Sequence, residues 1–312
     1  MRRFLLSLPL FFLLSFSSQV LAGASQSYRV VHGWPSLPEG YALGPVSGVA
    51  VDSHNHVWVF HRGEGPVICF EASTGRVLQS WGDGLFQAEH GMAVDSQDNV
   101  WVTDTAAHQV FQFSHEGKLL LSLGTEGVAG QDESHFNKPT DVGIARDGTI
   151  YVSDGYGNNR IAKFSGTGEF LMEWGRKGEG KGEFNEPHGI AIDARGRVYV
   201  ADRRNVRVQI FKGDGTFLNE WKSSALGRPW GIDVGRDGSI FIVDGGDMVA
   251  ETPMRNRVVK LDMNGKIIAK WGSYGSYDGQ FYWAHDIAVG LDGAVYVVDV
   301  HNGMRVQKFT VR

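Results

Sequence analysis

Six segments of this chain repeat one pattern: a short apolar strand, a polar turn built on Asp, Asn or Gly, and a second apolar strand. They read SGVAVDSHNHVWVFH, HGMAVDSQDNVWVTD, TDVGIARDGTIYVSD, HGIAIDARGRVYVAD, WGIDVGRDGSIFIVD and HDIAVGLDGAVYVVD. Their first residues are Ser47, His90, Thr140, His188, Trp230 and His285, at intervals of 42 to 55 residues. The pairs Asp147-Gly148, Asp237-Gly238 and Asp292-Gly293 suit tight hairpins, which need positive φ. A third strand (NRIAKFS, VRVQIFK) and a fourth (FLMEWG, FLNEWK) follow the hairpin. Four strands recurring about every 45 residues predict an all-β fold, the β-propeller, and six copies predict six blades. A β-sandwich does not account for six equivalent copies. The last copy stops after its third strand, MRVQKFTVR, while SYRVVHGW precedes the first copy and resembles the fourth strands elsewhere. Residues 28–34 are therefore expected to complete the last blade and remove an open sheet edge.

The opening stretch MRRFLLSLPLFFLLSFSSQVLAGAS has two arginines, an apolar run over residues 4–16 and small residues around Ala22. That order predicts a secretory leader over 1–22, with the propeller as a single domain over 23–312. The run is shorter than the roughly 20 residues a spanning helix needs. A secreted or periplasmic protein with no membrane attachment after cleavage is expected. Loss of Arg2 and Arg3 takes the net charge from −5 to −7, and an acidic surface argues against nucleic acid as a partner. With Cys69 the only cysteine, no intramolecular disulfide can form. The core and any bound metal must supply the stability, and a monomer is expected.

The residue that opens each copy is a histidine in blades two, four and six: His90, His188 and His285. The first strand of a blade lies innermost, so its start borders the central channel. Alternate blades of six stand about 120° apart, and three imidazoles converging on the axis form a His₃ metal site with an open fourth position. One such histidine is an ordinary polar residue at a strand start, but three alternating ones favour the metal.

Strand two returns to the same face, and the residue after its terminal aspartate lies near the channel mouth. There the sequence places Arg62 in blade one, Arg203 in blade four and, one residue on from Gly155, Tyr156 in blade three. Two guanidinium groups and a phenol above a metal suit a carboxylate-bearing substrate. Arg160, Arg207, Arg257 and Arg305, together with Asp104, Asp154, Asp202, Asp244 and Asp299, are expected to be scaffold. His54 and His56 form an HxH in the turn at the opposite end, where turn chemistry accounts for them. GRKGEGKGEF lacks GK[ST] and reads as a loop between blades.

Taken together, SGVAVD…VFHRG, HGMAVD…WVTDTAAHQVFQF, HFNKPTDVGIA…YVSDGYGNNRIAKFS, EPHGIAID…VYVADRRNVRV and AHDIAVGLDGAVYVVD resemble the peptidyl-α-hydroxyglycine α-amidating lyases, propellers of the NHL type. The resemblance implies cleavage of peptidyl-α-hydroxyglycine, or a related N-acyl α-hydroxyglycine, to an amide and glyoxylate. It further implies catalytic zinc on His90, His188 and His285, a catalytic Tyr156, and Arg62 and Arg203 binding substrate and supporting catalysis. A structural calcium would take the Asp286 carboxylate and the backbone carbonyls of Val49 and Met92, hard oxygen ligands of the kind calcium prefers. Gly157 follows Tyr156 where animal members carry a disulfide cysteine. Two alternatives stand beside this reading: a non-enzymatic secreted NHL propeller that binds a protein or glycan, and a calcium-dependent lactonase or esterase propeller. The latter calls for channel Glu, Asn and Asp ligands in place of three histidines.

Overall fold

A computed structural model describes residues 27–246 and 255–312. The expected leader lies outside the described residues. Six four-stranded antiparallel sheets form, each from strands consecutive in sequence except the last. Their inner strands are Val46–Val51, Glu89–Val94, Asp141–Ile144, Pro187–Ile192, Pro229–Val234 and Ala284–Val289. The chain is a six-bladed propeller.

In blade six the fourth strand is Tyr28–Val30, antiparallel to Arg305–Val311 with Tyr28 opposite Val311. Closure therefore occurs as expected, but the strand is shorter than residues 28–34. The backbone turns at Gly33, whose φ is 72°, and Trp34 leaves the sheet. Its indole instead packs on Phe70 and Tyr296, 5.8 and 5.0 Å between ring centres, in the seam joining blades one and six.

The apolar clusters lie between blades rather than within them. Trp58, Phe60 and Cys69 of blade one pack with Met92, Val100 and Val102 of blade two. Each strand alternates its side chains between the two faces of its blade, so every blade offers one apolar face to each neighbour.

In blades two to six the aspartate closing the second strand ties the blade to the loop that enters it. Asp154, Asp202 and Asp244 accept backbone N–H groups of Asn137, Asn185 and Arg228 at 2.8–2.9 Å. Arg160, Arg207, Arg257 and Arg305 donate through Nε to Asp154, Asp202, Asp244 and Asp299 at 2.7–3.1 Å. These arginines are scaffold, as expected.

Candidate functional site

Every inner strand but that of blade three shifts register beside the residue that opens its copy, and in blades two, four and six that residue is the histidine. The register shifts between Glu89 and Met92, between Pro187 and Ile190, and between Ala284 and Asp286. A bulge bends the strand and re-aims a side chain. Here it turns His90, His188 and His285 to one point on the axis, with ring centres 4.8–4.9 Å apart in all three pairs. Each Nδ1 donates to a backbone carbonyl of the next blade around the ring. His90 uses Thr140 O at 2.6 Å, His188 uses Trp230 O at 2.9 Å and His285 uses Ser47 O at 2.7 Å. That bond fixes the tautomer and leaves every Nε2 lone pair directed inward, the arrangement of imidazoles that ligate a metal.

All three rings are buried. Burial is the main cause of their low pKa values: His90 falls to about 3, and His188 and His285 fall well below the ordinary 6.5. Neutral imidazoles held close together, with no counter-charge among them, fit a metal cation. One ligand atom from each lies within 4.8 Å of the others.

The mouth is built above this trio. The Tyr156 hydroxyl lies 2.9 Å from His90 Nε2 and 3.1 Å from His188 Nε2, so its oxygen bridges two of the three inward nitrogens. One face of the ring remains open to solvent, with the residue 39% exposed. Burial of the hydroxyl raises the Tyr156 pKa, and Arg203 and Arg62 only partly oppose it. In the polypeptide alone, burial prevails over the two guanidinium groups.

Arg203 is buried, with its guanidinium 3.5 Å from the centre of the Trp230 ring and 2.5 Å from Glu186 Oε1. The same carboxylate pairs with Arg204. Arg62 is exposed and donates from Nε and Nη2 to the Glu89 carbonyl at 3.2 and 3.1 Å. The structure thus brings the histidine trio, the tyrosine and both arginines into one site. Trp230, which also flanks His188 and His285 at 5.6 Å, and Glu186 were not singled out from sequence.

Comparison with known proteins agrees with this geometry. The NHL repeat family matches residues 90–113, 136–164 and 184–211. Peptidyl-alpha-hydroxyglycine alpha-amidating lyase 2 of Drosophila melanogaster is 30% identical over 90% of this chain and 75% of its own length. The chain belongs to this lyase family. A further relative, the peptidylglycine alpha-amidating monooxygenase of Rattus norvegicus, is 36% identical, and the chain spans 31% of its length. A solved structure of a Bacteroides thetaiotaomicron protein of unknown function, 18% identical, superposes with a TM-score of 0.70 over 92% of this chain and 76% of that one, a likeness of fold alone.

Below the histidines, this lyase-family propeller encloses a channel cavity of about 220 Å³ bordered by Val49, Met92, Asp141, Asp233 and Asp286. Each carboxylate takes a backbone N–H from the next blade that contributes an inner strand. Asp141 accepts from Ile190 at 2.9 Å, Asp233 from Val289 at 2.7 Å and Asp286 from Val49 at 3.0 Å. Burial raises Asp286 to about 7 and Asp233 to about 6, and lifts Asp141 well above 3.8 with a further contribution from Asp286. Three buried carboxylates with no Lys or Arg bordering the cavity suit a hard cation. Sequence reasoning had named Asp286 and missed its companions. The available signal was an acidic residue inside an apolar strand, at Asp141 in TDVGI and Asp233 in WGIDV.

Where the residue after the opening position is not aspartate it is glycine, and the crowding is the reason. A Cβ on Gly91 would stand 2.5 Å from Asp141 Oδ1, and one on Gly231 would stand 2.7 Å from Asp286 Cα.

Among the described residues no helix is long and apolar enough to cross a membrane.

Proposed function

We propose that the chain is a zinc-dependent lyase that splits the C–N bond of a peptidyl-α-hydroxyglycine, or of a smaller N-acyl α-hydroxyglycine, into an amide and glyoxylate. The observation that carries this is the Tyr156 oxygen seated between the Nε2 atoms of His90 and His188, beneath Arg62 and Arg203. Three neutral imidazoles with an open fourth side are a zinc donor set, and zinc there supplies Lewis acidity toward the substrate's α-hydroxyl.

The chain's own groups carry the remaining work. Arg203, fixed between Trp230 and Glu186, and Arg62 hold the substrate carboxylate as guanidinium forks. Tyr156 in its phenolate form accepts the α-hydroxyl proton at its oxygen. The hydroxyl oxygen becomes the aldehyde oxygen of glyoxylate as the C–N bond breaks, and the released nitrogen takes up a proton to become the amide. Because burial holds the phenol protonated, its base form depends on the cations gathered around it.

On the same proposal a structural calcium would be held in the lower channel by the Asp286 carboxylate and the carbonyls of Val49 and Met92, and the neighbouring carboxylates of Asp141 and Asp233 support it. The substrate is a small carboxylate-bearing molecule or a peptide end. The protein acts in the periplasm or outside the cell as a monomer; the leader-like opening sequence and the closed ring support this.

The test is glyoxylate release from α-hydroxyhippurate by the purified protein, with a chelated sample alongside. Release that chelation abolishes and zinc restores is the expected result. A folded, zinc-loaded protein that releases none would overturn the substrate class, and one that binds no zinc would overturn the metal.

A further inference from the structure

On the face opposite the mouth, three more histidines gather where blade one meets blade two. His54 and His56 lie in the first turn of blade one, and His115 lies in the outer hairpin of blade two. The rings of His54 and His56 are nearly parallel, 5.7 Å apart at 13°, and His115 stands 6.5 Å from His56.

Turn chemistry explains only part of this cluster. In blades one, two and four the first aspartate of the turn accepts the backbone N–H groups two and four residues on, through Oδ1. Asp52 holds His54 and His56 this way, Asp95 holds Gln97 and Asn99, and Asp193 holds Arg195 and Arg197, all at 2.8–3.0 Å. The side chain four residues on then meets Oδ2 of that aspartate. His56 Nδ1 does so at 3.1 Å, Asn99 Nδ2 at 3.1 Å and Arg197 Nε at 2.6 Å. His56 therefore has a turn role that asparagine or arginine fills elsewhere. The positions of His54 and His115 are not explained by the turn.

All three imidazoles share one further property: each is held at Nδ1 by a neighbour. His56 is held by Asp52, His54 by Asp98 Oδ2 at 3.2 Å and His115 by the side-chain amide of Gln79 at 3.0 Å. The same Gln79 nitrogen donates to the His115 carbonyl at 3.0 Å, so the amide nitrogen faces His115 and its Nδ1 accepts. A carboxylate on one ring nitrogen, as at His54 and His56, with the other left for a metal, is the outer-shell pattern of ligating histidines. Asp52 is itself pinned by Trp58 Nε1 at 3.0 Å and fully buried, so the support is rigid while the histidines reach the surface. One ligand atom each from Asp52, His54 and His56 already lies within 4.8 Å of the others.

We infer that this seam is a second, peripheral binding site for a divalent transition-metal ion of the zinc or copper class. His54 and His56 are its ligands through Nε2, Asp52 and Asp98 orient them, and His115 borders the site 6.5 Å from His56. Imidazole nitrogens favour such ions over calcium or magnesium. The site is independent of the channel and stands whether or not the lyase reading holds.

The test titrates tag-free protein with Zn²⁺ in a His188→Ala background, which silences the channel trio, and counts bound ions per chain. The comparison protein adds His54→Gln and His56→Asn, which copy the Gln97 and Asn99 of blade two and so preserve the turn. One ion bound in the first and none in the second is expected. Replacing His115, which borders the ligands without binding the ion, with glutamine should weaken that ion roughly tenfold, the scale of outer-shell losses at metal sites. In otherwise wild-type protein, His54→Gln/His56→Asn should leave glyoxylate release and Tm unchanged. Equal ion counts with and without the two histidines would overturn the site. So would a Cu²⁺-loaded sample in the His188→Ala background whose electron paramagnetic resonance spectrum lacks imidazole nitrogen couplings.

Discussion

The channel carries two rings of donors, stacked along one axis and built by opposite use of the same backbone. The upper ring consists of imidazoles that donate to carbonyls of Thr140, Trp230 and Ser47. The lower ring consists of carboxylates that accept from N–H groups of Ile190, Val289 and Val49. In both, burial drives the side chain toward its neutral form: the histidines lose protons and the aspartates gain them. The difference is what a cation does to each. At the upper ring it finds lone pairs already free, so binding displaces few protons. At the lower ring it must displace protons from groups lifted to about 6 and 7, so binding there depends on pH near neutrality.

The sharpest break in this comparison is His188→Ala, which should strip the upper ring of its ion and reduce glyoxylate release to background while leaving calcium-dependent stabilisation intact. Metal analysis and turnover on one preparation check both halves. Tyr156→Phe should lower kcat by roughly 10²–10⁴-fold, the span of general acid–base contributions, with ion content unchanged. Full retained turnover would remove the tyrosine from the mechanism. Arg203→Ala should cost about 10- to 100-fold in kcat/KM, matching about 1.5–3 kcal/mol for a charged hydrogen bond. Arg62→Ala should cost less, because Arg62 is exposed and Arg203 is buried. Steady-state kinetics on the pair rank them.

The smallest effect concerns the lower ring alone. Asp233 in the folded chain titrates near 6, above the ordinary 3.8, so the folded state binds that proton more tightly than the unfolded one. Its contribution favours folding below about pH 4 and is lost as pH rises through 6. Asp233→Asn should therefore raise the stability of cation-free protein at pH 8, on the order of 1–3 kcal/mol, and change little at pH 4. Thermal melts at the two pH values decide it, and calcium should shrink the difference at pH 8.

What the sequence disclosed followed from repetition. Six equivalent copies made the ring, the closing strand and the alternation of His90, His188 and His285 readable, because each could be compared with five others. The arginines Arg160, Arg207, Arg257 and Arg305 could be set aside for the same reason. What stayed hidden had no repeat to compare. Asp141 and Asp286 share one position in their copies, but Asp233 sits two residues further along, so the carboxylate ring does not align. Glu186 reaches Arg203 from the loop before blade four, a pairing set by the path of that loop.

The seam closed by Tyr28–Val30 has a consequence for how the molecule comes into being. His285 belongs to blade six, and its Nδ1 is held by Ser47 of blade one, so one corner of the trio joins the two ends of the ring. An elongating chain can form blades two to four and bring His90 and His188 into place, yet it has no complete trio until the first and last blades meet. Contacts across so great a sequence separation form slowly. On the proposed metal reading, ion capture is then the last event of maturation, and an ion-loaded molecule would be one whose ring has closed.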